Sequence, residues 1–187
     1  MAQNSKAMIV EAAAALLDEG GPAAVTFRAV GERVGLSHNA AFKLFRDKES
    51  LLAAVATAEL LRQAAPPRGR RQSDPREELR RRLYGYVRWA LRRPARFHLT
   101  FGRWNGDHPD LGTAATRARE QLVDAVRAAQ NAGFVTPGDA ERVASLLLAT
   151  AHGAASLALN GHLSRKGKGA ADPEDLVDEL LALLDPR

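Results

Sequence analysis

His38, Asn39 and Ala40 stand side by side just after Gly35, with Thr26 and Arg28 before them and Lys43 and Lys48 after. An Asn amide can donate to and accept from one adenine edge. An imidazole can donate or accept at a base edge or a phosphate, and an Ala side chain is small enough to admit a thymine methyl. Arg28 and Lys48 can hold phosphates, as can backbone amides at capped helix starts, which fixes register without reading sequence. From Thr26 to Lys48 there are 5 basic and 2 acidic residues, although residues 1–61 as a whole carry 6 basic and 7 acidic.

These groups act together only if two short helices hold them. Thr26 is a suitable N-cap for a helix with Phe27, Val30 and Val34 on one face. Gly35 can adopt the left-handed conformation that ends it, Leu36 can plug the turn, and Ser37 can cap a third helix running to about Phe45. On that helix Ala41 and Phe45 face inward, leaving His38, Asn39, Phe42 and Lys43 outward. Two helices joined this tightly have the form of a helix-turn-helix, whose second helix enters the major groove. Taken alone, the pattern also fits two ordinary surface helices.

The remaining chain reads as helix throughout, so the expected class is all-α. Helix one is expected from Ser5 to the Gly20-Gly21 pair, and helix four from Asp47 or Lys48 to Pro66-Pro67. Pro66 to Ser73 reads as a linker between residues 1–65 and 66–187. Asp74-Pro75 with Glu77 starts a helix carrying Leu79, Leu83, Val87, Ala90 and Leu91. Further starts fall at Pro94, Asp110, Asp139 and Asp172-Pro173, with stops at Gly133 and Gly161. Arg80, Arg81 and Arg82 read as exposed polar positions.

The 187 residues are 45% hydrophobic and 26% charged, which suits one or two small globular domains and excludes a disordered or fibrous chain. With no cysteine, disulfides, thiolate metal sites and cysteine nucleophiles are excluded. The net charge of +5 sits in the middle, where residues 62–96 hold 12 basic and 3 acidic side chains, so bulk charge is no argument for DNA. Glu11 and Asp18 interrupt the first apolar stretch, so a cytoplasmic protein without a secretory signal is expected. Val143 to Ser164 lacks charge and is long enough to span a bilayer, but its His152, Asn160, His162, glycines and alanines favour burial against protein. The spacing of His152 and His162 argues against a shared metal site. No nucleophile, carboxylate pair or phosphate loop suggests catalysis, and neither a metal nor a cofactor is expected.

Ile9-Val10-Glu11-Ala12-Ala13, Leu16-Leu17, Glu19-Gly20-Gly21, Val25-Thr26-Phe27-Arg28, Val34-Gly35-Leu36-Ser37, Phe45 and Asp47-Lys48-Glu49-Ser50-Leu51-Leu52 together resemble the DNA-binding domain of TetR-family bacterial transcription regulators. The resemblance implies that Thr26, Arg28 and Lys48 contact phosphates and that His38, Asn39 and Ala40 read bases. It also implies a homodimer on a palindromic operator, and repression relieved by a small-molecule ligand. Phe42 replaces a usual Tyr, Leu44 a usual His and Gly31 a usual Ala. The first two leave room for a second reading, a helical ligand-binding or interaction protein with a vestigial DNA-binding motif.

Tyr84, Tyr86, Trp89, Phe97, Phe101 and Trp104 account for six of the ten aromatics and lie close in sequence. With His98, Asn105 and His152 they suit either an ordinary core or a pocket for an apolar or amphipathic molecule. The resemblance implies the pocket, lined by Tyr86, Trp89, Phe97, His98, Phe101, Trp104, Asn105 and His152. Pro94, Phe97, Leu99, Phe101-Gly102, His152-Gly153, Leu157 and Asn160-Gly161 resemble a C-terminal domain type of that family named for a Trp-His-Gly pattern, although the tryptophan is missing. The last two apolar segments are expected to dimerise through Leu146, Gly153 and Leu157, and through Leu176, Leu180 and Leu181.

Overall fold

In the computed structural model, which describes residues 2–35, 43–65 and 74–186 and side chains from Ser5 onward, every named element is a helix. They are α1 (Ala2–Ala24), α2 (Phe27–Val34), α3 (Lys48–Ala64), α4 (Pro75–Arg92), α5 (Pro94–Thr100), α6 (Pro109–Asn131), α7 (Ala140–Leu159) and α8 (Pro173–Leu183). The expected all-α class is observed.

Helix ends are set by side chains that satisfy orphan amides. Thr26 Oγ1 accepts from the Ala29 amide at 3.1 Å. Asp47 Oδ1 accepts from the Ser50 amide at 2.7 Å, and Asp139 Oδ1 from the Glu141 amide at 2.9 Å. At α8 the Asp172 amide donates to Asp175 Oδ2 at 2.8 Å, half of a reciprocal cap. Gly35 follows α2 at φ 68°, ψ 26°, the left-handed conformation that a Cβ disfavours.

Three expected boundaries differ. Helix α1 begins at Ala2, so Ser5 lies inside it. The helix breaks at Gly20 and Gly21 (φ 67°, ψ −170°) but resumes through Pro22 to Ala24, because a proline fits the first turn of a new helix. Lys43 and Leu44 form a turn and Phe45 is irregular, so the third helix does not reach Phe45. Residues 36–42 and the expected linker at 66–73 lie outside the described residues.

Contacts divide the chain into two units, the first made of residues 1–62 with 93–116 and the second of 63–92 with 117–187. In the first, Ile9, Ala13 and Leu17 of α1, Val30 of α2 and Leu51 and Val55 of α3 form the core. Ala95 and Leu99 of α5 and Trp104 pack on it, and so does Leu44, which gives that departure from the family pattern an apolar role. In the second unit α4, α7 and α8 pack on one another. They bury Leu79, Leu83 and Val87, Leu147, Ala151 and Ala155, and Val177 and Leu181. Leu91, expected at core spacing, is exposed at the end of α4.

Candidate nucleic-acid interface and effector site

Of the expected DNA contacts, Thr26, Arg28, Lys43 and Lys48 lie among the described residues. Ser37, His38, Asn39, Ala40 and Phe42 lie outside them. Arg28, Lys43 and Lys48 are exposed on the first unit. Arg28 Nε donates to Glu32 Oε1 at 2.9 Å, one turn along α2. Such a surface pair is worth little and can exchange for a phosphate. The Thr26 hydroxyl is occupied in capping α2. Arg33 joins α2 to Glu19 of α1 through bonds of 2.6 and 2.7 Å, which lower the Glu19 carboxyl below its usual range.

The sequence hid a buried ionic junction in the same unit. Arg96 of α5 reaches Asp18 of α1 at 2.6 Å and Glu59 of α3 at 2.8 Å. The side chains of Arg96 and Glu59 are only 7% and 4% exposed. Arg93 adds a second contact to Asp18 at 2.8 Å, and Arg62 bonds to Glu59. A signal was present: Glu59 continues the apolar row Leu52, Val55, Ala56 on α3, a place where a lone charge needs a partner.

A second polar contact joins α3 to the segment after α5. Glu49 Oε1 accepts from the amides of Asn105 at 2.7 Å and Gly106 at 3.1 Å, and lies 3.4 Å from His108 Nε2. These bonds, the backbone donors first, lower the Glu49 carboxyl below its usual range.

The eight expected pocket residues fall into two sets. In the first unit Phe97 is buried against the Phe101 ring at 5.7 Å and the His98 ring at 5.4 Å. His98, Trp104 and Asn105 line an open cleft of about 590 Å³ together with Lys48 and Leu52. In the second unit Tyr86 is buried, its hydroxyl 2.8 Å from His152 Nδ1, with the Trp89 ring centroid 5.9 Å from its own. Burial raises the Tyr86 phenol well above its usual range, so it carries its proton and can donate to Nδ1.

Arg80, Arg81 and Arg82 are partly buried and ion-paired, not simply exposed. Arg80 bonds to Asp178 of α8 at 2.7 and 2.8 Å, while Arg81 and Arg82 pair with Glu78. Tyr84 donates to the same Asp178 at 2.6 Å, and the Arg80 and Arg88 guanidiniums lie 4.8 and 5.2 Å from the Tyr84 ring centre. Arg88 in turn bonds to Glu174 at 2.6 Å. Periodicity placed these arginines on the polar face of α4, but it carries no information about the acidic face of α8 that meets it.

Of the expected dimer residues, Leu146 and Leu157 are each 47% exposed, and Leu183 beyond them on α8 is 80% exposed. Gly153, Leu176 and Leu180 are half-buried. Leu181 is buried within its own chain, so it offers no surface to a partner. Helix α7 is also long and apolar enough to cross a membrane by length and composition. Among the described residues no three metal-ligating side chains gather.

Helix α2, capped by Thr26 and ended by the left-handed Gly35, is joined to further helices with no named strand among the described residues, the frame of a helical regulator. Residues 9–55 match the family described as "Bacterial regulatory proteins, tetR family", and residues 79–184 match "Tetracyclin repressor-like, C-terminal domain". The chain belongs to the TetR family and is a DNA-binding transcriptional regulator. The second match is not to a domain named for Trp-His-Gly.

Among solved structures, a protein of unknown function from Rhodococcus sp. RHA1 is 27% identical, with a TM-score of 0.77 over 96% of this chain and 92% of its own. A TetR transcriptional regulator from the same source is 24% identical, with a TM-score of 0.69 over 97% and 96%. AibR, solved with isovaleryl coenzyme A and operator DNA, is 17% identical, with a TM-score of 0.63 over 97% and 98%. No curated protein matches the chain.

Proposed function

We propose that the protein is a homodimeric, cytoplasmic repressor that binds a palindromic operator and is released from it by a small apolar or amphipathic molecule. The observation that carries the DNA half is the capped α2 and its Gly35 turn, set among exposed Arg28, Lys43 and Lys48 within the matched residues 9–55. In this reading residues 1–65 bind DNA and 66–187 regulate and dimerise. Arg28, Lys43, Lys48 and Thr26, whose hydroxyl accepts from the Ala29 amide but keeps its own proton to donate, hold phosphates. Ser37 caps the recognition helix, His38, Asn39 and Ala40 read bases, and Phe42 leaves out one phosphate bond. The chain performs no catalysis and does not cross a membrane.

Dimerisation is supported by exposed Leu146 and Leu157 on α7 with half-buried Gly153 between them, and by Leu183 on α8 beside half-buried Leu176 and Leu180. At about 25 cal/mol per Å² of apolar surface removed from water, such a face favours a second copy. Two copies then present two recognition helices to successive major grooves, which calls for a palindrome. The effector reading rests on the buried Tyr86–His152 pair with Trp89 beside it, where an aromatic wall meets one convergent polar group. A ligand that binds one spacing of the recognition helices better than another shifts the population and releases DNA.

Selection of duplexes from a random pool by the full-length protein tests the reading. A palindromic consensus is expected, with Asn39→Ala losing preference at one position at a cost of about 1–3 kcal/mol. Enrichment of no sequence would refute it. Resorcinol and isovaleryl coenzyme A, carried by two proteins of the same fold, are first probes for release from the selected duplex.

A further inference from the structure

Glu49 is out of place for a group beside a DNA-facing lysine. It is the second residue of α3, immediately after Lys48, and there its negative charge opposes the phosphate backbone. What the carboxylate gains is a position. A single oxygen, Oε1, collects two backbone N–H groups and approaches one imidazole nitrogen, all from the short segment that follows α5.

That segment is shaped to deliver them. A Cβ on Gly102 would meet the His98 carbonyl oxygen at 3.0 Å and that of Leu99 at 3.3 Å, so a side chain there would press the loop and the end of α5 apart by a few tenths of an ångström. A Cβ on Gly106 would lie 3.2 Å from His108 Nε2. Between them Trp104 rests on the core of the unit, with the His108 ring edge-on at 5.5 Å. The first turn of α3 is thus held twice, by Asp47 capping its amides and by Glu49 gripping the loop.

We propose that Glu49 is a positioning residue for operator binding. Its carboxylate keeps the loop 101–108 docked on the first turn of α3, docking sets the place of Lys48, and release of the loop lowers operator affinity. The loop follows α5, so a displacement of α5 reaches the DNA-facing lysine through one hydrogen-bonded contact. The inference rests on the reading of Lys48 as a phosphate contact.

Charge alone and positioning predict opposite signs, which makes the test decisive. Binding of the full-length protein to the duplex selected by the wild type is measured for Glu49→Ala, Glu49→Gln and Glu49→Asp. Simple electrostatics requires Glu49→Ala and Glu49→Gln to bind more tightly, since a negative charge is removed. Positioning requires Glu49→Ala to bind about tenfold more weakly, on the scale of one charged hydrogen bond. Glu49→Gln, which keeps a carbonyl acceptor, should stay close to wild type. Glu49→Asp keeps the charge but falls a methylene short, and it should weaken binding if Glu49→Ala does not fold. In a Lys48→Ala background Glu49→Ala should cost nothing further, and amide exchange across 101–108 should quicken in Glu49→Ala but not in Glu49→Gln. Wild-type affinity in both Glu49→Ala and Glu49→Asp, or full additivity with Lys48→Ala, would overturn the proposal. If the wild type enriches no duplex, the DNA-binding reading fails and this inference with it.

Discussion

The Arg96 guanidinium and the Glu59 carboxylate meet at 2.8 Å with both side chains almost wholly withdrawn from water. Removing one charge of such a pair strands the other, which typically costs about 3–5 kcal/mol, whereas replacing both by apolar groups is often neutral. Arg96→Ala should therefore lower the free energy of urea unfolding by about that amount. Arg96→Met with Glu59→Leu should recover much of it, because Asp18 keeps Arg93. Equal loss in the single and double variants would show that the charges matter less than the packing.

The Tyr86 phenol gives a test at alkaline pH. Burial raises its folded value, so the unfolded chain loses the proton first. Its stabilising contribution is complete below about pH 10 and declines above it, by up to about 1.4 kcal/mol per pH unit. Unfolding of Tyr86→Phe should show a shallower decline above pH 10 than wild type. At neutral pH the variant should lose roughly 1 kcal/mol with the hydrogen bond to His152. Parallel curves above pH 10 would place the phenol in water.

At acid pH the informative residue is Asp178. Arg80, and then Tyr84, hold its carboxyl below the usual aspartate range. The folded value is depressed, so the stabilisation is present above the ordinary aspartate range and is lost as pH falls through the folded value. The pair is 40% exposed on each side, so solvent screening keeps the effect near 0.5–1 kcal/mol. Asp178→Asn should be less stable than wild type at pH 7 and indistinguishable near pH 2. A gap that persists at pH 2 would mean the loss comes from packing.

Two leucines distinguish assembly from folding. Leu157→Glu places a charge on an exposed row of α7 and should yield folded monomers by light scattering, with tight operator binding lost. Leu181→Glu buries the charge inside the chain and should unfold it. Arg119→Glu, on an exposed face of α6, should leave the mass in solution unchanged. A wild-type monomer that still binds a palindrome tightly would overturn the dimer reading.

What the sequence made legible was local. Thr26, Asp47 and Asp139 announce helix starts because an N-cap satisfies an amide two or three residues away, and Gly35 announces a stop because it has no Cβ to disfavour the left-handed turn. What stayed hidden was pairing at a distance. Glu59 and Arg96 are 37 residues apart and Arg80 and Asp178 are 98 apart. A helical period tells which face is apolar, not which helix will lie against it. For the same reason the aromatic run from Tyr84 to Trp104 read as one cluster, although Tyr86 and Trp89 lie with His152 in the second unit, while Phe97 and Phe101 pair in the first, where Trp104 packs on the core of α1 and α3.

The first unit is assembled from two stretches of chain that are not consecutive, residues 1–62 and 93–116. During synthesis the amino-terminal helices therefore emerge with Arg62 beside Glu59 but without Arg96, which joins Asp18 and Glu59 only later. A gene fragment ending near residue 65 would carry every expected DNA contact and the Arg62–Glu59 pair, but neither of the arginines, Arg93 and Arg96, that meet Asp18. On the proposed division of labour, moving this module to another regulator calls for α5 to travel with it, or for a replacement cation in the host.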